Sequence, residues 1–108
     1  MVETSFDFTV SDTKTIERVI EDDNLGLNHI VLAHGDSMPE HYSNSNVYMI
    51  IVRGKVTLRL DDQRDHDYAN GTIVTIPFKT RMNVSNNGNE PAEFFVVKSP
   101  SPRLMPSL

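Results

Sequence analysis

Residues 35–54 read Gly-Asp-Ser-Met-Pro-Glu-His-Tyr-Ser-Asn-Ser-Asn-Val-Tyr-Met-Ile-Ile-Val-Arg-Gly, and this stretch decides the fold prediction. Five residues separate Gly35 from His41, and Gly54 closes the stretch. Residues 47–52 are a continuous apolar run, which is typical of a strand buried in an all-β domain. The stretch therefore predicts a polar loop that contains His41, followed by a buried strand that ends near Gly54.

The chain beyond Gly54 predicts a second strand, because Val56, Leu58 and Leu60 alternate with polar residues. Arg53 and Gly54 make a short connection of the kind that joins two paired strands. We therefore expect residues 47–60 to form a hairpin.

A second glycine begins a similar pattern at residue 71. Five residues separate Gly71 from Pro77, and Asn86 follows nine positions after the proline. Together the two stretches resemble the two motifs of the cupin family, G-x5-H-x-H-x3-E-x6-G and G-x5-P-x-G-x2-H-x3-N, with both internal lengths kept. The resemblance covers residues 26–98 and implies an all-β fold, the double-stranded β-helix or jelly-roll barrel of the cupin type.

In the cupin family two His and one Glu of the first motif and one His of the second bind a divalent metal. Of these four positions, only His41 keeps its ligand, since Ser43, Val47 and Met82 occupy the others and Lys79 replaces the glycine of the second motif. One imidazole with a hydroxyl and a thioether offers a hard divalent ion too few strong donors. We therefore predict no cofactor.

A divalent metal would need a rearranged site, and the available set is His34, Glu40 and His41. His29 lies on the same predicted strand, but residues 29 and 34 differ in parity, so a regular strand points them to opposite faces. A rearranged metal site with oxidoreductase activity stays open as an alternative.

His41 has two interpretations: a core or rim histidine bonded to a neighbour, or a pocket residue that binds a polar ligand or acts as a general base. Other polar groups expected near the barrel mouth are Ser43, Asn46, Tyr48 and Arg81. Arg81 has the alternative of a solvated surface arginine. The sequence also predicts an apolar pocket wall formed by Met49, Ile51 and Met82. The alternative is that these side chains only pack in the core.

The first functional hypothesis is a metal-free barrel that binds a small polar metabolite. The second is a metal-independent enzyme that resembles the sugar epimerases of the superfamily, with His41 as base and Tyr48 or Tyr42 as acid. The sequence leaves open whether any reaction occurs, because one fold hosts many chemistries.

Further strands are predicted at residues 6–10 and 14–21, from 27 to 33, over 71–76 and over 94–97, with a polar, turn-rich stretch at 61–70. The prolines of the tail cannot join a β-ladder. We therefore expect a single cupin domain over residues 1–98 and a Pro-rich tail over 99–108.

The composition suits one globular domain of 108 residues, with 38% hydrophobic and 23% charged residues. No apolar stretch approaches the roughly 20 residues that cross a bilayer. The net charge of −5 and the scattered basic residues argue against nucleic acid as a partner. The absence of cysteine excludes disulfides and thiolate metal sites, and the start of the chain predicts no secretory signal, so a cytoplasmic location is expected.

The resemblance also implies a homodimer, because cupins commonly pair through their N-terminal strands. Residues 4–10 have the alternating pattern of a strand that could add to a neighbour's sheet and cover its edge.

Overall fold

The computed structural model describes residues 1–108 and consists of nine β-strands and one short 3-10 helix. The strands form two antiparallel sheets, with the orders β1-β2-β9-β4-β7 and β3-β8-β5-β6. This confirms the all-β jelly-roll prediction. The strands are β1 Thr15–Glu21, β2 Gly26–Leu32, β3 His41–Tyr42, β4 Val47–Arg53, β5 Lys55–Leu60, β6 His66–Ala69, β7 Thr72–Ile76, β8 Arg81–Ser85 and β9 Ala92–Lys98, and the 3-10 helix is Pro102–Leu104.

The hydrophobic core lies between the two sheets. Side chains alternate between the faces of a strand, so every second residue of β4, β8 and β9 points inward. The core residues are Ile30, Leu32, Val47, Met49, Ile51, Val56, Leu58, Ile76, Met82, Val84, Ala92, Phe94 and Val96. The structure contains no helix that is long and apolar enough to cross a membrane.

The predicted hairpin over residues 47–60 is wrong. The β4 strand pairs with β7 and β9, whereas β5 pairs with β6 and β8, so Gly54 carries the chain from one sheet to the other. Gly54 has a φ of 72°, and a Cβ at this position would lie 2.3 Å from the carbonyl oxygen of Pro91. Only glycine tolerates both the positive φ and the close approach of the neighbouring backbone.

The structure agrees with the strand predictions for residues 14–21 and 27–33, and for those that became β7 and β9. The turn-rich stretch at 61–70 contains β6, which pairs with β5 across register partners such as Thr57 and Asp67. Three of the four residues of β6 are exposed, so the strand lacks the apolar pattern that would reveal it in the sequence.

The predicted strand over residues 6–10 is also wrong. Residues 1–14 contain no strand and form an extended arm, here called the N-terminal arm. Phe8 lies against the outer face of the five-stranded sheet, with its ring centroid 4.7 Å from that of His29 and 5.1 Å from that of Phe95. The aromatic side chain of Phe8 is therefore explained by packing on the sheet, without a strand at this position.

The tail over residues 99–108 packs against the barrel. Ser101 is fully buried, and the hydroxyl of Ser45 donates to the carbonyl of Pro100. Arg103 in the 3-10 helix donates to the backbone oxygen of Glu21 at 2.7 Å. The Ser99–Pro100 peptide bond is cis. These contacts hold the tail beside the start of β2.

Candidate functional site

A cavity of about 30 Å³ lies inside the barrel, between the two sheets. By volume it holds about two water molecules. Its apolar wall consists of Ile30, Met38, Val47, Met49, Met82, Val84, Phe94 and Val96, and its polar lining consists of Asn28, His41, Ser43, Asn44 and Lys98. A mostly apolar cavity with a few convergent polar groups has the general character of a small-molecule site.

The four positions that carry metal ligands in the cupin motifs all line this cavity. They are occupied by His41, Ser43, Val47 and Met82. His41 and Met82 are register partners across β3 and β8, which brings the two motifs together. The fold therefore gathers the positions, although the side chains at three of them have changed.

His41 sits at the exposed rim of the cavity. Its Nδ1 lies 2.9 Å from the carbonyl oxygen of Pro39. A carbonyl oxygen only accepts, so Nδ1 carries the proton and Nε2 of the neutral ring keeps a free lone pair. The residue can thus accept a hydrogen bond or a proton from a ligand through Nε2.

Ser43 lines the cavity, but its hydroxyl is engaged in the structure of a loop. Its Oγ donates to the carbonyl of Pro77 at 2.6 Å and accepts from the backbone amide of Thr80 at 2.9 Å. Its backbone also pairs with the loop, through Thr80 and Lys79. A serine hydroxyl has one proton, and this one is already donated to Pro77.

The residues at the four motif positions do not fit a divalent metal. Val47 has no donor, the hydroxyl of Ser43 already donates to Pro77 and accepts from Thr80, and Met82 offers only a soft thioether. Only the imidazole of His41 is a strong ligand there.

The rearranged set of His34, Glu40 and His41 is not assembled either. The ring of His34 bonds the carbonyl of Gly88, and Glu40 pairs with Arg81 at 3.3 Å. No group of three or more His, Asp or Glu side chains is placed to hold a metal ion. The three residues have separate partners, so the structure does not assemble them into a rearranged metal site.

Three of the polar residues expected at the barrel mouth lie outside the cavity. Tyr48 is 42% exposed on the outer face of β4, opposite in parity to Met49. Asn46 accepts a hydrogen bond from the backbone amide of Phe78 at 3.2 Å. Arg81 lies at the surface, where it donates to Asp61 and Asp62. The structure therefore does not bring Tyr48 to His41 as an acid partner.

The apolar residues of the prediction lie in the interior. Met49 and Met82 line the cavity, whereas Ile51 is fully buried in the core beside it. Tyr42 neighbours His41 on β3 but is half exposed and lies in a different surface groove, beside Lys79.

Three polar residues of the cavity, Asn28, Asn44 and Lys98, were missed from the sequence. Strand alternation could have revealed two of them. Asn28 lies an even number of residues from the core residues Ile30 and Leu32, and Lys98 lies two residues after Val96 on β9, so both belong to the core-facing set of their strand. Asn44 lies in the loop after β3, where no periodicity applies.

Burial lowers the pKa of Lys98, because removal from water penalises the ammonium, and the positive charge of Arg18 lowers it further. The carboxylate of Glu21 acts in the opposite direction but does not contact the lysine. Lys98 takes part in no ion pair and its side chain makes no hydrogen bond. Lys98 therefore lines the cavity with no carboxylate within ion-pair distance.

Comparison with known proteins agrees with this architecture. The family model described as a cupin domain matches residues 28–98. The uncharacterized protein MJ0764 of Methanocaldococcus jannaschii is 43% identical over 104 residues, which is 95% of this chain and 90% of the relative. The crystal structure of that RmlC-like cupin family protein, with a double-stranded β-helix fold, superimposes with a TM-score of 0.92 over 95% of each chain.

More distant structures show the fold alone. A cupin superfamily protein from Desulfitobacterium hafniense has 13% identity and a TM-score of 0.71, over 84% of this chain and 81% of that one. The polyketide cyclase RemF from Streptomyces resistomycificus has 21% identity and a TM-score of 0.69, over 79% of this chain and 63% of that one. From the two motifs, the jelly-roll topology and these matches, we conclude that the chain belongs to the cupin family.

Proposed function

We propose that this protein is a metal-independent cupin that binds a small polar metabolite in the barrel cavity. The observation that carries the proposal is the convergence of His41, Asn28, Asn44 and Lys98 on an otherwise apolar cavity. A few polar groups in an apolar cavity orient a ligand and select it. The absence of a fitting ligand set at the motif positions supports binding without a metal.

The volume of about 30 Å³ requires the cavity to widen when a ligand enters. Met38, Met49 and Met82 line it. Methionine is unbranched and has three rotatable bonds, so it repacks at small cost. We therefore expect the thioether side chains to move when a metabolite binds.

Methyl-labelled methionine gives a direct test. Three of the five methionines line the cavity, so a ligand in the barrel should shift the methyl signals of Met38, Met49 and Met82 and leave those of Met1 and Met105 unchanged. A metabolite screen that moves none of the cavity signals would argue against the proposal. So would near-stoichiometric metal in purified, untagged protein that disappears in His41→Ala.

A second candidate is a metal-independent proton-transfer enzyme, favoured by the bond that leaves Nε2 of His41 as an acceptor. It needs an acid other than Tyr48, since that residue lies on the outer face. The test is exchange of carbon-bound hydrogen for deuterium in ligands that the screen identifies. Exchange that is faster than in buffer and lost in His41→Gln supports a base, whereas binding without exchange leaves the first candidate.

We propose further that two copies associate through the outer face of the five-stranded sheet. Val52 of β4 and Ile73 of β7 are 46% and 64% exposed on this face, beside Tyr48. Soluble monomers rarely expose large contiguous apolar patches. The backbone groups of residues 4–8 make no hydrogen bond within the chain, whereas the amide of Thr9 is bonded to Glu17, so residues 4–8 are available to pair with a partner's sheet.

Light scattering coupled to size exclusion at micromolar concentration tests this association. The expected result is a dimer for the native protein and a monomer for Val52→Lys/Ile73→Lys, whose charges would be buried in the interface. A native monomer at this concentration would overturn the proposal. The cytoplasm stays the proposed compartment, supported by the cysteine-free composition.

A further inference from the structure

We infer that the ligand of the barrel is a small hydroxycarboxylate whose carboxylate binds Lys98 and Asn28, whose hydroxyl binds Asn44, and whose short apolar end enters the cavity. The inference rests on the proposed binding function and specifies the chemical class of the ligand. It is carried by three polar side chains from separate parts of the chain that share one place and lack partners.

Lys98 is placed to hold an anion. It is the last residue of β9, between Gly26 of β2 and Val47 of β4, and its stem lies over the bare Cα of Gly26. A Cβ at Gly26 would be 3.7 Å from the Cβ of Lys98 and 3.8 Å from its Cδ. Lys98 thus lines the cavity with its side chain partly removed from water and with no carboxylate within ion-pair distance. A half-buried charge of this kind gains most when an anionic ligand supplies the counter-charge.

The amides of Asn28 and Asn44 supply the neutral part of the site. The Oδ1 of Asn44 is buried and has no hydrogen-bond partner. Buried polar atoms are nearly always partnered, so this acceptor is available to a donor group of a ligand or to a water that the ligand replaces. The side chain of Asn28 is also unbonded, and its NH₂ group can donate to a carboxylate. A carboxylate with a neighbouring hydroxyl satisfies both requirements.

The same three residues lie between the inner cavity and a second pocket. That outer pocket, of about 60 Å³, is lined by Asn28, Asn44 and Lys98 together with the ion pair of Arg18 and Glu21. Because both volumes share these side chains, a ligand that reaches the inner cavity from the outer pocket passes them. The inner side is apolar, with Met49 and Phe94 in its wall. An anionic head and a short apolar end match this polarity.

The charge balance selects a monoanion. Lys98 is the one unpaired cation of the site, since Arg18 is bound to Glu21 at 3.0 Å. A dianion such as phosphate would keep one charge uncompensated near Glu21, which is unfavourable away from bulk water. We therefore expect lactate to bind more tightly than inorganic phosphate.

Methyl signals of labelled methionine provide the test, with lactate, propionate and lactamide as probes. Propionate lacks the hydroxyl and lactamide lacks the charge. Loss of a hydrogen bond to a charged group corresponds to about a 10-fold weaker affinity or more, so lactamide should bind at least that much more weakly than lactate, and propionate should lie between them. Lactamide that binds as tightly as lactate would overturn the inference.

Two variants assign the interactions. Lys98→Met keeps the aliphatic stem and removes the charge, so the affinity for lactate should fall to that for lactamide. Lys55→Met, a surface control, should leave the affinity for lactate unchanged. Asn44→Ala should reduce the affinity for lactate to that for propionate. Unchanged lactate binding in Lys98→Met would contradict the site.

The failure of this inference can be told apart from failure of the proposed function. If lactamide or other neutral ligands shift the signals of Met49 and Met82 as strongly as lactate, the barrel binds metabolites but not by this recognition. If no ligand of any charge shifts them, the binding function itself fails. Should Lys98→Met not fold, the comparison of the three probes on the native protein still decides the question.

Discussion

The Nε2 of His29 lies 2.6 Å from Oε2 of Glu93 on the outer face of the five-stranded sheet. On the other side of the ring, Nδ1 lies 2.7 Å from Oε2 of Glu17. Each ring nitrogen of His29 thus has one carboxylate within hydrogen-bond distance. Arg53 donates to the second oxygen of Glu93 at 3.2 Å.

The buried ring of His29 ties the N-terminal arm to the barrel. Glu17 also accepts from the backbone amide of Thr9 at 2.8 Å and from its hydroxyl at 2.9 Å, and the ring of Phe8 covers His29. The arm is thereby anchored through its side chains and the amide of Thr9, while its backbone makes no bond to another backbone group.

We predict that His29→Leu lowers the free energy of unfolding by about 2 kcal/mol, because the half-buried carboxylates lose their hydrogen-bond partner while the volume is kept. Urea denaturation measures this change. His66→Leu, at an exposed position, is the control and should have little effect. Equal stability of the native protein and His29→Leu would show that these hydrogen bonds contribute nothing net.

Glu17 predicts a loss of stability in acid. Hydrogen bonds from Thr9 and His29 hold the pKa of Glu17 below its ordinary value of 4.5. A carboxyl whose pKa is lower in the folded state stabilises the fold above the unfolded pKa, and this contribution disappears as the pH falls through the folded pKa. The stability difference between the native protein and Glu17→Gln should therefore be present at pH 6 and shrink below pH 4.5. Glu3→Gln, in the unbonded part of the arm, should show no such pH dependence.

Gly54→Ala should destabilise the barrel far more than Gly71→Ala. Both residues have a positive φ, of 72° and 89°, but a Cβ at Gly54 would meet the backbone of Pro91, whereas one at Gly71 meets nothing within 4 Å. We expect Gly71→Ala to lower the free energy of unfolding by about 1 to 2 kcal/mol, because alanine is strained in the left-handed conformation. Gly54→Ala should cost about 3 kcal/mol or more, since the backbone must also move. Similar thermal unfolding of the two variants would refute this.

Asn86, the last residue of the second motif, connects the end of β2 to the loop between β8 and β9 through hydrogen bonds. Its buried amide donates to the carbonyls of Leu32 at 2.8 Å and Glu90 at 2.7 Å, and its Oδ1 accepts from the amide of Gly88 at 2.9 Å. Asn86→Ala leaves these groups without partners and should cost about 2 to 4 kcal/mol. The neighbouring exposed Asn87→Ala is the matched control, and denaturation curves that coincide for both would contradict the assignment.

Restoring the motif should create a metal site. The four positions line one cavity, so Ser43→His, Val47→Glu and Met82→His together with His41 supply four strong ligands there. We expect this triple variant to bind one Zn²⁺ in calorimetry and to bind it more weakly when His41→Ala is added. A folded triple variant without zinc affinity would show that the positions do not converge closely enough.

Much of the fold followed from local patterns. The period-two alternation of β5, the apolar run of β9 and the β-branched run before Pro77 predict strands, because each pattern is a property of a few consecutive residues. The motif spacing likewise located His41 and Met82, which the structure pairs across β3 and β8. The change of sheet at Gly54 was not predictable in this way, since a turn residue indicates a reversal of the chain without saying which strand is paired next.

By itself the sequence determined the strand-rich class, the cupin motifs and the loss of three metal-ligand types, all of which depend on residue identity and short spacing. Only the tertiary structure decided that Asn28, Asn44 and Lys98 meet at one cavity while Tyr48 faces outward. Residues 28 and 98 lie on strands that are paired in the sheet but distant in the chain. Such pairing depends on the burial of the whole core, because alternation fixes the face of a side chain but not the strand beside it.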